Sequence, residues 1–215
     1  MIRNFIKNIF KKKTETEGSF FNSSKYEMEN LICGIGNSEI SKDTIFIKNY
    51  PFEPSLAFPK KEFKHNEIES ICIDVSPHYF RVGNELVFVT TENKTELSEF
   101  ANRNKIKIFK QTWNWDRILE PFLDTEFDEK DKIKTIELLN ENGISKIETE
   151  KIRAEVEKQM YKYNFDTMLW DWCSLGLSDV LSAMRVKYNK NEFIEFYNRA
   201  MEIELRKTSH NNGYN

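Results

Sequence analysis

The chain has 215 residues, 39% of them hydrophobic, 31% charged and 13% aromatic, with a formal net charge of −3. That length suits one domain or two small ones packed together, and 17 Phe, 8 Tyr and 4 Trp exclude a disordered chain. No run of about 18 apolar residues is available to span a membrane, and a pI near 5.8 argues against a nucleic-acid binder.

The first elements lie in a basic segment. Ile2, Phe5, Ile6, Ile9 and Phe10 share one helical face, with Lys7 opposite and Lys11, Lys12 and Lys13 beyond it. Apolar rings beside lysines suit weak, reversible contact with an anionic membrane, or docking on the protein's own core. Arg3, Asn4, Lys7 and Asn8 interrupt any apolar run of a signal peptide. Cys33, Cys72 and Cys173 form neither a disulfide framework nor a CxxC pair, so a reduced, cytoplasmic protein is expected, with possible peripheral attachment at the inner membrane face. Abundant Asn, Lys and Ile point to an AT-rich bacterial source. Gly34-Ile35-Gly36 begins a dinucleotide-type loop, but Glu39 stands where its last glycine belongs.

From residue 26 to 111, short β-prone runs alternate with turns: Thr44 to Lys48, Leu56 to Phe58, Ile68 to Val75, Tyr79 to Val82 and Leu86 to Thr90. Gly83-Asn84-Glu85 suits a three-residue hairpin loop. A helix is predicted from Asn93 to Arg103 with Leu97, Phe100 and Ala101 inward, and Ile106 and Ile108 suggest one more strand. The succession of Ile68-Glu69-Ser70-Ile71, Tyr79-Phe80-Arg81-Val82, Leu86-Val87-Phe88-Val89 and the acidic helix Glu96 to Phe100 resembles the closing part of bacterial pleckstrin-homology-like domains over residues 63–103. That resemblance implies a small antiparallel barrel used for binding rather than catalysis. The strand after the helix departs from the family pattern.

After Thr112 the period becomes helical, and residues 112–207 carry 15 Lys/Arg against 20 Asp/Glu. Trp113, Ile118 and Leu119 open a first helix, interrupted at Pro121. Asp128 is placed to cap a second, with Ile133, Ile136, Leu139 and Asn140 on its stripe and Asn142-Gly143 as its stop. Ser145 and Glu148 have capping-box spacing for a third, running to about Tyr163 with Ile152, Val156, Met160 and Tyr163 on one stripe. Met168 to Leu175 is apolar enough for a buried central helix, and Ser178 is placed to cap the next. The last, Lys190 to Arg206, offers Phe193, Ile194, Tyr197, Ala200, Met201 and Leu205 to the core, before a frayed tail over 208–215.

Candidate sites are few. Asp124, Glu126, Asp128, Glu129 and Asp131 form an acidic cluster. It imitates the start of a calcium loop, but Glu129 occupies the position of the turn glycine and Thr135 that of the bidentate glutamate. A solvated helix start or a docking surface for a basic partner accounts for it better. Trp115, Trp170 and Trp172 are candidates for an aromatic groove, against the simpler reading that they fill the core. His65, Glu67 and Glu69 lack a second ligand pair, so no metal or cofactor is expected.

The expectation is an α+β protein: an antiparallel sheet-rich N-terminal half packed against four or five helices. Its basic leader and linker occupy residues 1–25, a β-rich domain 26–111 and a helical domain 112–207. The leading function is non-catalytic binding of another protein. A peripheral membrane module using the N-terminal helix, and an enzyme whose site is invisible in sequence, are the alternatives.

Overall fold

The computed structural model describes residues 31–123, 128–166 and 174–207. Two sheets form the N-terminal half. In the first, β1 (Asn37–Ile40), β2 (Thr44–Lys48) and β3 (Lys60–Lys64) pair antiparallel, Ile45 facing Phe63 and Ile47 facing Lys61 across the ladder. Alternation puts Ile45, Ile47 and Phe63 inward and leaves the polar residues of β1 and β3 at the surface. Gly36 makes the approach to β1 possible: its φ is +79°, and a Cβ there would sit 2.5 Å from the Lys48 carbonyl oxygen.

The second sheet has the order β6-β5-β4-β7, from β4 (Ser70–Cys72), β5 (His78–Val82), β6 (Glu85–Val89) and β7 (Lys107–Ile108). Helix α1 (Lys94–Asn104) crosses between β6 and β7, burying Leu97, Phe100 and Ala101 as expected. The crossover returns β7 parallel to β4, so this sheet is mixed rather than wholly antiparallel. Phe63 and Phe80 meet edge to face at 5.0 Å and join the two sheets.

The helical half contains α2 (Asn114–Leu119), α3 (Glu129–Glu141), α4 (Lys146–Asp166), α5 (Leu177–Lys187) and α6 (Lys190–Leu205), making the protein α+β. Their starts follow local chemistry. Asp128 accepts the Lys130 and Asp131 amides at 2.8 and 2.9 Å. Ser145 Oγ accepts the Glu148 amide at 3.2 Å. Asn189 accepts two amides of α6 while Glu192 reaches back to the Asn189 amide, a capping box. Ile152, Val156, Met160 and Tyr163 of α4 are all buried. One apolar cluster runs through both halves, from Ile45 and Phe52 to Phe193 and Met201.

Several local expectations are corrected. Leu56 to Phe58 is a turn between Pro54 and Pro59, with Leu56 and Phe58 turned outward and only Ala57 buried. Val82 pairs with Glu85, so the β5–β6 loop has two residues, Gly83 and Asn84. Helix α5 starts two residues earlier than a Ser178 cap requires: Gly176 is its N-cap, and the Asp179 carboxylate accepts the Gly176 amide at 2.8 Å. Residues 168–173, placed in sequence within a central helix, lie outside the described residues, as do the leader and the tail. No described helix is long and apolar enough to cross a membrane.

Candidate functional site

Helices α3 and α4 pack against each other across the stop at Asn142-Gly143, where Gly143 takes φ +79° and its amide bonds the Asn140 carbonyl at 2.9 Å. On α3 only Thr135 and Leu139 are buried. The rest of its expected apolar stripe is turned elsewhere: Ile133 is 60% exposed and, with Ile136, borders a groove of about 640 Å³. Ala154, Glu157 and Tyr161 line it from α4, and Phe122 borders it too, its ring edge-on to Tyr161 at 5.3 Å.

Charge is arranged around this apolar trough. Lys132 pairs with Glu129 at 2.5 Å and Lys146 with Glu150 at 3.8 Å. The Arg153 guanidinium is turned toward the backbone, donating to the Ile118 and Arg117 carbonyls at 2.9 and 3.0 Å. Glu137 on one wall and Glu157 on the other have no ion-pair partner among the described residues. An apolar trough with one spare carboxylate per wall has the chemistry to hold an amphipathic segment carrying cations.

A second concave region lies where the sheet meets the helices. It is a cavity of about 190 Å³ bordered by Asp74, Tyr79, Gln111, Asp116 and Asp179. Gln111 Nε2 donates to both Asp116 Oδ2 (3.0 Å) and Glu204 Oε1 (3.1 Å). Glu204, 2% exposed, also accepts Thr112 Oγ1 at 3.2 Å and the Trp115 amide at 3.1 Å. Burial pushes the Glu204 carboxyl up to about 7, and the nearby Asp116 charge adds to the rise. Burial likewise lifts Asp116 to about 6 and raises Asp179, which accepts Tyr163 Oη at 2.9 Å. Shifted carboxyls are common at active sites. Here they already satisfy amide and hydroxyl donors, and the cavity is smaller than the 300 Å³ or so at which small-molecule pockets begin.

The acidic cluster divides. Asp128 caps α3, Glu129 pairs with Lys132, Asp131 lies exposed in the first turn, and Asp124 and Glu126 lie outside the described residues. Trp115 does not border a groove: it has no exposed surface, and its indole donates to the Ala200 carbonyl at 2.9 Å in the core. Trp170 and Trp172, and all of Ile2, Phe5, Ile6, Lys7, Ile9, Phe10, Lys11, Lys12 and Lys13, lie outside the described residues. Glu204 and Gln111 give no signal in the sequence: Glu204 is a polar residue on the apolar stripe of α6, and Gln111 lies in the irregular segment between β7 and α2. The spacing of Ile133 and Ile136 shows that they share a face of α3 but not what covers that face. Among the described residues, no group of three or more His, Cys, Asp or Glu side chains is placed to hold a metal. No family model, curated protein or solved structure matches the chain.

Proposed function

We propose that this is a non-catalytic protein-interaction protein whose binding surface is the α3–α4 groove. The occupant is an amphipathic helix with apolar residues at helical spacing and lysine or arginine at its edges. The observation that carries this reading is the exposed Ile133 above the groove on a helix that buries only Thr135 and Leu139. Apolar surface left in water costs about 25 cal/mol per Å², so an apolar trough of this size gains by being filled. A binding role is also what the resemblance of residues 63–103 implies. An enzyme working from the interface cavity is disfavoured by that cavity's size and by the hydrogen bonds its carboxyls already make.

The test is a display selection of helical peptides on the immobilised full chain, counter-selected on an Ile133→Glu/Ile136→Glu variant. Both side chains are at least partly exposed, so the variant keeps its core. Enriched peptides are expected to carry the i, i+3, i+4 apolar pattern with basic flanks and to bind the variant at least about tenfold more weakly. Enrichment that ignores the variant, or peptides without cations, would remove the groove as the binding surface.

A further inference from the structure

The groove's chemistry also specifies an occupant within the same chain. We propose that residues 2–13 dock in the α3–α4 groove, so that the chain's own leader competes with any partner for that surface. This rests on the groove being a helix-binding surface, as argued above.

Three observations converge on that segment. The first is pattern. Ile2, Phe5, Ile6, Ile9 and Phe10 repeat at helical spacing, the period needed to fill a trough between Ile133 and Ile136 on one wall and Ala154 and Tyr161 on the other. The second is charge. Arg3, Lys7, Lys11, Lys12 and Lys13 make residues 2–13 uniformly basic, and the groove offers Glu137 and Glu157, one on each wall, without an ion-pair partner among the described residues. Those contacts are exposed, so they set orientation more than affinity.

The third observation is reach. Twelve residues in helical form span about 18 Å, close to the roughly 20 Å length of α3. The described chain begins at buried Leu31, and Cys33 Sγ lies 3.3 Å from Ser182 Oγ on α5, which packs beside α4. The tether, residues 14–30, extends to on the order of 55 Å, whereas crossing one helix takes about 10 Å. The tether's reach is thus several times the width of one helix, so chain length does not bar the leader from the groove. Tethering also raises its effective concentration to the millimolar range, enough for a weak helix to occupy the site.

The experiment uses the full chain with a photo-crosslinking amino acid at position 133 and peptide mapping of the products. Cross-links within one molecule to residues 5–10 are expected, and their yield is expected to fall at least about tenfold in a Phe5→Asp/Ile9→Asp variant. Cross-links only between molecules would assign the groove to a second copy, and their absence would leave the leader elsewhere; either result overturns the proposal. Anionic vesicles provide a further arm: if they abolish an intramolecular cross-link, the leader exchanges between groove and membrane, and the docked state stands. Peptides from the display selection separate this inference from the one beneath it. Where docking is real, they bind the leader variant about tenfold more tightly than the parent chain. Should they bind both equally, the groove is a binding surface that the leader does not occupy.

Discussion

Glu204 is the residue on which the interface between sheet and helices turns. It lies one position after Ile203 in the buried stripe of α6, and its carboxyl is shared among Gln111, Thr112 and Trp115 with no cation paired to it among the described residues. Asp116 and, through it, Asp179 add negative charge nearby, and Arg117 is the charged group that offsets Asp116. Because the folded carboxyl holds its proton more tightly than the unfolded one, its contribution to stability is complete below about pH 4.5. That contribution is lost as pH rises through about 7. Asp116 acts in the same sense between about 3.8 and about 6. The contribution of Glu204 alone is on the order of 3 kcal/mol. Urea midpoints should therefore fall from pH 5 to pH 8. Glu204→Gln should flatten that fall, since the amide stays neutral across this range and removes the buried charge, and should make the variant more stable than the parent at pH 8. Parallel pH profiles for variant and parent would mean that the buried carboxyl is not the titrating group.

At the scale of elements, what the sequence makes legible depends on where the signal is written. Caps are local chemistry, so Asp128, Ser145 and the Asn142-Gly143 stop mark α3 and α4 without knowledge of the fold. Strands β1 and β3 are edge strands whose outward faces are polar, and Lys60 to Lys64 brings only Phe63 to the core, so neither carries an apolar alternation to detect. The apolar run at Leu56 to Phe58 gives the opposite error, since the prolines flanking it turn the chain and expose two of its three residues. The groove is legible only as a stripe on α3, because its other lining residues, Phe122, Ala154 and Tyr161 among them, come from distant positions that the spacing on α3 does not reveal. The same helix gives a direct prediction. With two buried side chains, α3 depends on its cap more than its neighbours do, so Asp128→Ala should cost about 1 kcal/mol. Hydrogen exchange should accelerate in α3 amides while protection in α6, which buries seven residues, is unchanged. Uniform acceleration across both helices would show that α3 opens only with the whole molecule.

On the scale of the whole molecule, the change of period near residue 110 separates two kinds of element but not two cores. Phe52, from the loop after β2, lies between Phe88 of the sheet at 6.2 Å and both Phe193 and Tyr197 of α6 at 6.5 and 6.2 Å. Beside it, the Glu85 carboxylate accepts the Tyr197 hydroxyl at 2.8 Å, the Leu56 amide at 3.1 Å and the Ser55 hydroxyl. One side chain of β6 thus ties a loop of the N-terminal half to the last helix. Removing it as Glu85→Ala leaves the Tyr197 and Ser55 hydroxyls buried without their acceptor, a loss on the order of 3 kcal/mol. Because the apolar cluster is continuous through this point, the loss should appear in both halves at once. Near-ultraviolet circular dichroism (aromatic packing) and far-ultraviolet circular dichroism (dominated by the helices) should shift together to one lower midpoint. Glu85→Gln, which keeps an acceptor, should recover part of the difference. Two separated transitions, with the helical signal unmoved by Glu85→Ala, would mean that the halves fold independently and that the aromatic contacts around Phe52 join them without coupling them.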